Sequence, residues 1–207
     1  SIAPDQQSKR RGNFDLGNGA TRSINVNSLL NVATISGSVS GVGSSIVKTG
    51  PGTLALLGGN SFDGGIKISG GTLQSGSSGL GSGLVTFAGG VFQHAPNTTD
   101  DFSSHFSNAN NQPIYIDTGA NVATYGTPLV SAVGGSLGKF GSGTLILTNT
   151  ANYTLLALSS AGLLQIGAGG TDGAIPASSK IIDNGVLVAD RADTVTRNGA
   201  ITGGGGI

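Results

Sequence analysis

The amino-acid sequence predicts an all-β chain whose short strands stack as the successive coils of a solenoid. Glycine is the first indication, because 38 of the 207 residues are Gly, far above the average of about 7%. Charged residues make up only 10% and every acidic residue is Asp, so the residues that favour helices are scarce. The same apolar residue also recurs at a nearly constant spacing along the chain. Together these observations exclude a helical bundle and favour strands joined by tight turns.

Charge and cysteine content exclude several classes of function. Ten basic and ten acidic residues cancel, which removes the basic surface expected of a nucleic-acid binder. The basic run at Lys9, Arg10 and Arg11 is expected to lie at a solvated end. Cysteine is absent, which excludes a disulfide scaffold and Cys-ligated zinc. The longest apolar runs have four residues, too few to span a bilayer as a helix, and the lack of any Met suggests a piece of a longer polypeptide.

An internal repeat relates two segments at a constant offset of 91 residues. Both open on Lys-x-Gly-x-Gly-Thr-Leu, which occupies residues 48–54 and again residues 139–145. Later identities include Leu73-Gln74 with Leu164-Gln165, and Phe62 stands where the second copy has Tyr153. We therefore expect two repeats, at residues 48–93 and 139–188, within a single β-helix that extends over residues 1–207.

A shorter period runs inside this repeat and predicts the solenoid. Similar apolar positions follow one another at spacings of 19 to 30 residues: Leu54, Leu73, Phe92, a weaker member at Val122, Leu145, Leu164 and Leu187. Counting backwards by 19 residues reaches Ile35 and then Leu16. A two-sheet sandwich gives no reason for this recurrence, whereas a solenoid places the same inward position above the last in every coil. Leu54, Leu73 and Phe92 are therefore expected to form one buried column, and Leu145 and Leu164 another.

The first copy also resembles a known repeat family. Lys48–Leu54, Asn60–Gly65 and Ser69–Gln74 look like the passenger-associated transport repeat of Gram-negative autotransporters, and the likeness continues to Val91. The second copy keeps the opening motif but has Leu155-Leu156 in place of the Gly pair. The resemblance implies a right-handed parallel β-helix carried outside the cell by a separate C-terminal outer-membrane β-barrel. In that family the repeats are tied to secretion and extracellular folding, and the complete proteins are often adhesins or toxins.

One segment is expected to protrude from the solenoid as a loop. The spacing of 30 residues between Phe92 and Val122 exceeds one coil by about ten residues, which predicts an insertion at residues 94–113. Because loops on rigid scaffolds often carry recognition, this segment is a candidate binding loop, with His94, Asp100, Asp101 and His105 as its candidate residues. A solvated insertion without a ligand is the simpler alternative, since added loop length costs little. No metal-binding motif is present, and no cofactor is expected.

Catalytic motifs are weak throughout the sequence. A polysaccharide-cleaving enzyme would need several carboxylates and basic groups on one face, whereas the ten Asp residues are scattered and many adjoin turn residues. Lys48-Thr49 lacks the glycines of a phosphate-binding loop. Gly169–Gly173 is a single approximation to a calcium-binding repeat. The sequence therefore favours a non-enzymatic segment, and the polysaccharide-active β-helix enzyme is the alternative from another class.

The function expected from the sequence is that of a stalk and secretion-folding segment of an autotransporter passenger. Such a segment is exposed on the bacterial surface or released from it, as part of an adhesin or a toxin. Its expected partners are the C-terminal outer-membrane β-barrel, a host-cell surface receptor and a second copy of the chain. This last partner would associate end to end through the coil near Val195 to Ile201, because a terminal coil offers unpaired backbone groups to another strand.

Overall fold

A computed structural model describes residues 8–10, 12–130, 134–158 and 161–207. These residues form parallel strands, one short 3-10 helix at Ser103–His105 and no α-helix. The chain divides into two compact units, Ser1–Ala95 and Pro96–Ile207. Every described strand pairing is parallel, which confirms the predicted all-β solenoid. The basic run at residues 9–11 lies outside the described side chains.

The first unit contains eleven of the described strands, arranged in three sheets. The strands are β1 (Ser8–Arg10), β2 (Phe14–Asp15), β3 (Thr21–Asn25), β4 (Val32–Ile35), β5 (Val39–Ser40), β6 (Ser45–Thr49), β7 (Thr53–Leu56), β8 (Ile66–Ile68), β9 (Thr72–Ser75), β10 (Val85–Phe87) and β11 (Val91–His94). The largest sheet has the order β1-β4-β7-β9-β11, the second has the order β3-β6-β8-β10, and β2 pairs with β5. Each coil therefore contributes one strand to each of the two main sheets.

The second unit repeats this arrangement with eleven further described strands. These are β12 (Pro113–Asp117), β13 (Val122–Tyr125), β14 (Leu129–Val130), β15 (Ser136–Phe140), β16 (Thr144–Leu147), β17 (Ala151–Asn152), β18 (Leu155–Leu158), β19 (Leu163–Ile166), β20 (Lys180–Asp183), β21 (Val186–Ala189) and β22 (Ile201–Thr202). The orders within this unit are β12-β15-β18-β20-β22, β13-β16-β19-β21 and β14-β17. Strands β15, β16 and β19 begin and end 91 residues after β6, β7 and β9, so the sequence repeat is also a structural repeat.

The predicted buried column in the first unit is confirmed. Leu54 pairs in register with Leu73, and Leu73 with Phe92, and all three side chains have no solvent exposure. The backward extension of this column to Ile35 is wrong, because Ala33 is the register partner of Leu54 and Ile35 pairs with Leu56. The coil from Ala33 to Leu54 has 21 residues, against 19 from Leu54 to Leu73, and this difference displaces the register by two residues.

The backward extension to Leu16 is also wrong. Leu16 is fully buried, but it follows β2 and its amide donates to Ser40 O, so it belongs to the layer of the β2-β5 pair. This layer is a third wall of the coil, separate from the sheet that carries Leu54. A buried residue at the right distance along the chain is therefore not enough to assign a column.

The column in the second unit is confirmed for Leu145, Leu164 and Leu187. Leu145 pairs with Leu164, which in turn pairs with Leu187, and their exposed fractions are 0%, 0% and 6%. Val122 is wrong as a member, because its neighbour Ala123 is the register partner of Leu145 and Val122 itself is exposed. Since side chains alternate between the faces of a strand, an error of one residue moves the whole assignment to the opposite face.

Two glycines explain the corner that opens each repeat. Gly50 and Gly141 have φ values of +74° and +76°, in the left-handed region that glycine enters without steric cost. Two residues later, a Cβ added to Gly52 would lie 2.3 Å from Ser28 O, and one added to Gly143 would lie 2.0 Å from Asn121 O. The first glycine thus permits the turn, and the second lets the backbone touch the preceding coil. The strand that carries Leu54 or Leu145 starts directly afterwards.

Candidate functional site

The candidate binding segment lies between β11 and β12, and the structure gives it tighter boundaries than the sequence did. His94 closes β11, where it is the register partner of Ser75 and has an exposed fraction of 1%. Its ring makes an edge contact with Phe92, with 5.6 Å between the ring centroids. Pro113 opens β12. His94 is therefore a core residue of the first unit, while Asp100, Asp101 and His105 belong to the second unit.

Asp101 fastens this segment to the second unit. Its Oδ1 accepts hydrogen bonds from the amide and the hydroxyl of Ser103, and its Oδ2 accepts one of 2.7 Å from the Gly126 amide. The Ser103 Oγ in turn accepts a bond of 2.9 Å from the Thr127 amide. The carboxylate of Asp101 and the hydroxyl of Ser103 therefore hold the start of the 3-10 helix against the residues that follow β13. The carboxylate of Asp101 is largely occupied by these contacts.

Aromatic packing completes the attachment of the segment. Phe102 and Phe106 flank the 3-10 helix and are 2% and 3% exposed. Phe106 makes an edge contact with Tyr125, with 5.9 Å between the ring centroids. Burial, with a smaller contribution from Asp101, raises the pKa of Tyr125 well above its usual value. The segment is thus anchored by a small apolar cluster, and Asp100 and His105 remain half-buried on it.

Three of the four candidate residues, Asp100, Asp101 and His105, lie on the segment between β11 and β12, whereas His94 lies in β11. Within the described residues, no group of three or more His, Cys, Asp or Glu side chains could hold a metal ion. In the same described part of the chain, no helix has the length and apolar character needed to cross a bilayer. The role of the segment as a binding loop stays a prediction.

Sequence reasoning missed a pair of buried lysines in the repeats. Lys48 in β6 and Lys139 in β15 have no solvent exposure. The Lys48 Nζ donates to the carbonyl oxygens of Thr49, Gly50 and Gly70, at 2.8, 2.9 and 3.1 Å. Gly70 belongs to the next coil. The ammonium therefore links the opening corner of one coil to the equivalent corner of the coil that follows it.

Within the described part of the chain, Lys139 repeats this interaction with one contact fewer. Its Nζ donates to Phe140 O at 2.6 Å and to Gly141 O at 3.0 Å. Among the described residues, neither lysine forms an ion pair. Burial lowers the pKa of Lys48, and it lowers the pKa of Lys139 to about 8 despite the opposing effect of the Asp117 carboxylate. We name each of these arrangements a lysine clamp, meaning Lys48 or Lys139 with the carbonyl groups to which its Nζ donates.

One signal in the sequence could have located the clamps. Strand β6 alternates between half-buried and buried residues, so Lys48 shares the inward face with Ile46. A charged residue on an inward face is unusual unless its polar atoms are satisfied, and the glycines that follow supply a carbonyl-rich corner. The Lys-x-Gly-x-Gly-Thr-Leu motif is thus a structural unit in which the lysine, the turn glycine and the buried leucine depend on one another.

The comparisons with known proteins agree with this reading of the motif. The chain matches the passenger-associated transport repeat over residues 46–74 and 137–154, which include both lysine clamp residues. It is a β-solenoid segment of an autotransporter passenger, as the resemblance implied. One relative is the adhesin BmaC autotransporter of Brucella suis biovar 1 (strain 1330), which is 38% identical over 186 residues. The alignment covers 84% of this chain and 5% of that relative, and no solved structure matches the chain significantly.

Proposed function

We propose that this chain is a non-enzymatic stalk and secretion-folding segment of an autotransporter passenger displayed on, or released from, the bacterial surface. The passenger is an adhesin in this proposal, as the name of the BmaC relative suggests. Its C-terminal partner is an outer-membrane β-barrel, and its target is a receptor on the host-cell surface. The observation that carries the proposal is the repeated corner with a lysine clamp, which falls within both matches to the passenger-associated transport repeat.

The architecture explains how such a segment could fold outside the cell without an energy source. Each coil buries a leucine or phenylalanine on the coil before it, and apolar burial stabilises the stack by about 25 cal/mol per Å². In the first unit, the Lys48 clamp also ties one corner to the equivalent corner of the next coil. Solenoid repeats interact mainly with their neighbours, so folding can propagate from coil to coil as the chain emerges.

Surface staining of the source bacterium tests the location. Antibodies raised against the 207-residue chain are expected to label intact cells, and external protease is expected to remove this labelling. An antibody against a cytoplasmic protein serves as the control for membrane integrity. Labelling that requires permeabilised cells would contradict the proposal.

Binding of the purified chain to host cells tests the adhesive role separately. If this segment contributes to adhesion, fluorescent chain binds epithelial cells in a saturable manner, and unlabelled chain competes with it. Saturable binding followed by cell lysis would favour a toxin. Surface display without any binding to host cells would indicate that this segment is a stalk and that the adhesive region lies elsewhere in the passenger.

Self-association through the C-terminal coil is a further part of the proposal. Among the described strands, β22 pairs only with β20, and Ile201 in β22 is 38% exposed. A cavity of about 200 Å³ lies nearby, with Ile166, Leu187 and Val195 in its lining. An open strand edge beside apolar surface can accept a strand from a second copy. Sedimentation velocity is expected to show concentration-dependent association that an Ile201→Lys substitution abolishes, and a monomer at every concentration would contradict it.

A further inference from the structure

A polar cleft of about 340 Å³ lies on the side of the second unit. Three successive coils form it: residues 148–150 follow β16, residues 171–172 follow β19, and Arg191 follows β21. They meet because these strands are parallel and in register, with Leu147 opposite Ile166 and Ile166 opposite Ala189. Residues that leave such strands emerge at the same edge of the sheet. We call this group the lateral cleft.

Several polar groups that line the lateral cleft already form hydrogen bonds within the protein. Thr148 Oγ1 donates to Tyr125 O at 3.2 Å, and the Asn149 amide donates to Gly126 O at 3.0 Å. Arg191 holds Asp193 through two bonds of 2.8 Å from Nε and Nη2, while its Nη1 donates to Asp172 O at 3.2 Å. These contacts fix the walls of the cleft and hold the guanidinium of Arg191 in place.

Three polar groups of the lining face solvent without a hydrogen-bond partner in the described part of the chain. They are the hydroxyls of Thr150 and Thr171 and the carboxylate of Asp172, all on exposed residues. The carboxylate only accepts hydrogen bonds, whereas each hydroxyl both donates and accepts. A complementary ligand must therefore offer several donors and acceptors close together.

The charges of the cleft select a neutral ligand. The cleft is lined by one anion, Asp172, and one cation, Arg191, which is already paired with Asp193, so the cleft offers an added anion no unpaired positive charge. A divalent cation such as calcium needs six to eight oxygen ligands, while Asp172 is the one carboxylate that lines the cleft. Neighbouring hydroxyl groups of a sugar fit better, because one of them can donate to each carboxylate oxygen and another can accept from Arg191 or a threonine.

An apolar wall adjoins the polar groups, as a sugar ring requires. The cavity of about 200 Å³ shares Gly173, Ala174 and Arg191 with the lateral cleft and continues to Ile175 and Val195. Ligand sites commonly combine apolar surface with a few placed polar groups, in volumes from about 300 Å³ upwards. We propose that the lateral cleft binds a neutral saccharide unit of a glycan, a ligand class whose purpose rests on the adhesive function proposed above.

Titration of the isotope-labelled 207-residue chain with neutral oligosaccharides tests this site. Amide shifts are expected to change at Thr150, Thr171 and Asp172 in the presence of the neutral glycan that binds best in an array of host and bacterial glycans. Asp172→Asn should weaken binding about tenfold or more, which corresponds to the loss of one hydrogen bond to a charged group. Thr171→Val provides a second variant, Asp100→Asn tests the segment before β12 as a rival site, and Asp63→Asn, at an exposed residue of the first unit between β7 and β8, is the matched control that should bind normally.

Several results would overturn the proposal. They are an absence of binding to any neutral glycan at about 10 mM, a preference for anionic glycans, or equal affinity in the wild type and both cleft variants. Loss of binding in Asp100→Asn alone would move the site to the segment before β12. Circular dichroism of each variant shows that the fold is intact, and an unfolded Asp172→Asn leaves Thr171→Val to decide. Surface staining stays positive if only the glycan site fails, so the two proposals fail separately.

Discussion

The substitutions Lys48→Met and Lys139→Met should destabilise the protein by different amounts, because the two lysine clamps satisfy different numbers of carbonyl groups. Both lysines are fully buried, and burial lowers the pKa of Lys139 further than that of Lys48, so Lys139→Met removes the larger desolvation cost. Lys48→Met leaves Gly50 O and Gly70 O without a donor, since Thr49 O keeps its bond of 3.1 Å from Val26 N. Within the part of the chain that the structure describes, Lys139→Met leaves only Gly141 O, because Phe140 O keeps a bond from Thr118 N.

The difference between the two substitutions is therefore one unsatisfied carbonyl group. Leaving a buried polar group without its partner costs about 1–3 kcal/mol. The attraction between Lys139 and Asp117 is also lost in Lys139→Met. This loss makes Lys139→Met more destabilising and reduces the difference between the two substitutions. We expect Lys48→Met to lower the free energy of unfolding by about 1–2 kcal/mol more than Lys139→Met does at pH 6.5.

Urea denaturation followed by circular dichroism measures the change in the free energy of unfolding. Amide hydrogen exchange of the peptides around each corner shows which part of the chain is destabilised. Local measurement is needed because stacked repeats do not always unfold in a single step. Lys67→Met and Lys180→Met are matched controls, since both lysines are exposed on strands and should change stability by less than about 0.5 kcal/mol. Equal effects of the two clamp substitutions, or effects no larger than those of the controls, would refute the reasoning.

Four other predictions follow from the same structure. Burial lowers the pKa of Lys139 to about 8 in the folded protein. Between pH 8 and 10, Lys139 therefore binds its proton more tightly in the unfolded protein than in the folded protein. The free energy of unfolding should therefore rise over that range by on the order of 1–2 kcal/mol, and in Lys139→Met the rise should become smaller, leaving the contribution of Lys48, whose pKa burial also lowers. The two buried tyrosines, whose pKa values are raised, act in the opposite direction only above about pH 10. Leu73→Asp should destabilise the first unit by about 4 kcal/mol or more, because it buries an unpaired charge between Leu54 and Phe92, and unchanged urea unfolding would count against the column. Gly143→Ala should cost about 2 kcal/mol or more, since the added methyl group meets the preceding coil at 2.0 Å, and a thermal unfolding midpoint like that of the wild type would disagree. Finally, no products should appear from pectin or alginate, with or without calcium; release of products that disappears in Asp101→Ala would reverse the non-enzymatic assignment.

The sequence was sufficient for the fold because the solenoid repeats one simple constraint. An inward leucine must return at each coil, and Leu54, Leu73 and Phe92 show that spacing directly. The errors at Ile35 and Val122 arose where coil length changed, because a turn of unequal length shifts the register without changing the local pattern. Turn length depends on contacts with the neighbouring coil, which spacing alone does not encode.

The sites were harder to predict, since they depend on residues from different coils. The role of Lys48 depends on Gly70 O, which lies 22 residues further along the chain. The lateral cleft combines Thr150, Thr171 and Arg191, and the one motif-like stretch around them, Gly169–Gly173, resembles a calcium-binding repeat and does not predict a cleft. Their alignment follows only from the register of β16, β19 and β21. A sequence can show that such residues exist, but the stacking of coils decides which of them meet.

Disulfide cross-linking tests the central claim, the parallel in-register stacking of coils, most directly. The chain has no native cysteine, so paired substitutions report only the designed contacts. Thr53 and Thr72 are register partners in the first unit, and Ile146 and Gln165 are register partners in the second. Neighbouring strands lie about 4.8 Å apart, within the range of about 4.4–6.8 Å between Cα atoms that a disulfide accepts. In-register stacking predicts rapid oxidation of the register pairs Thr53→Cys/Thr72→Cys and Ile146→Cys/Gln165→Cys, and slower oxidation of the displaced pair Thr53→Cys/Gln74→Cys. Rapid oxidation of the displaced pair, with unreactive register pairs, would show that the strands do not stack in this register.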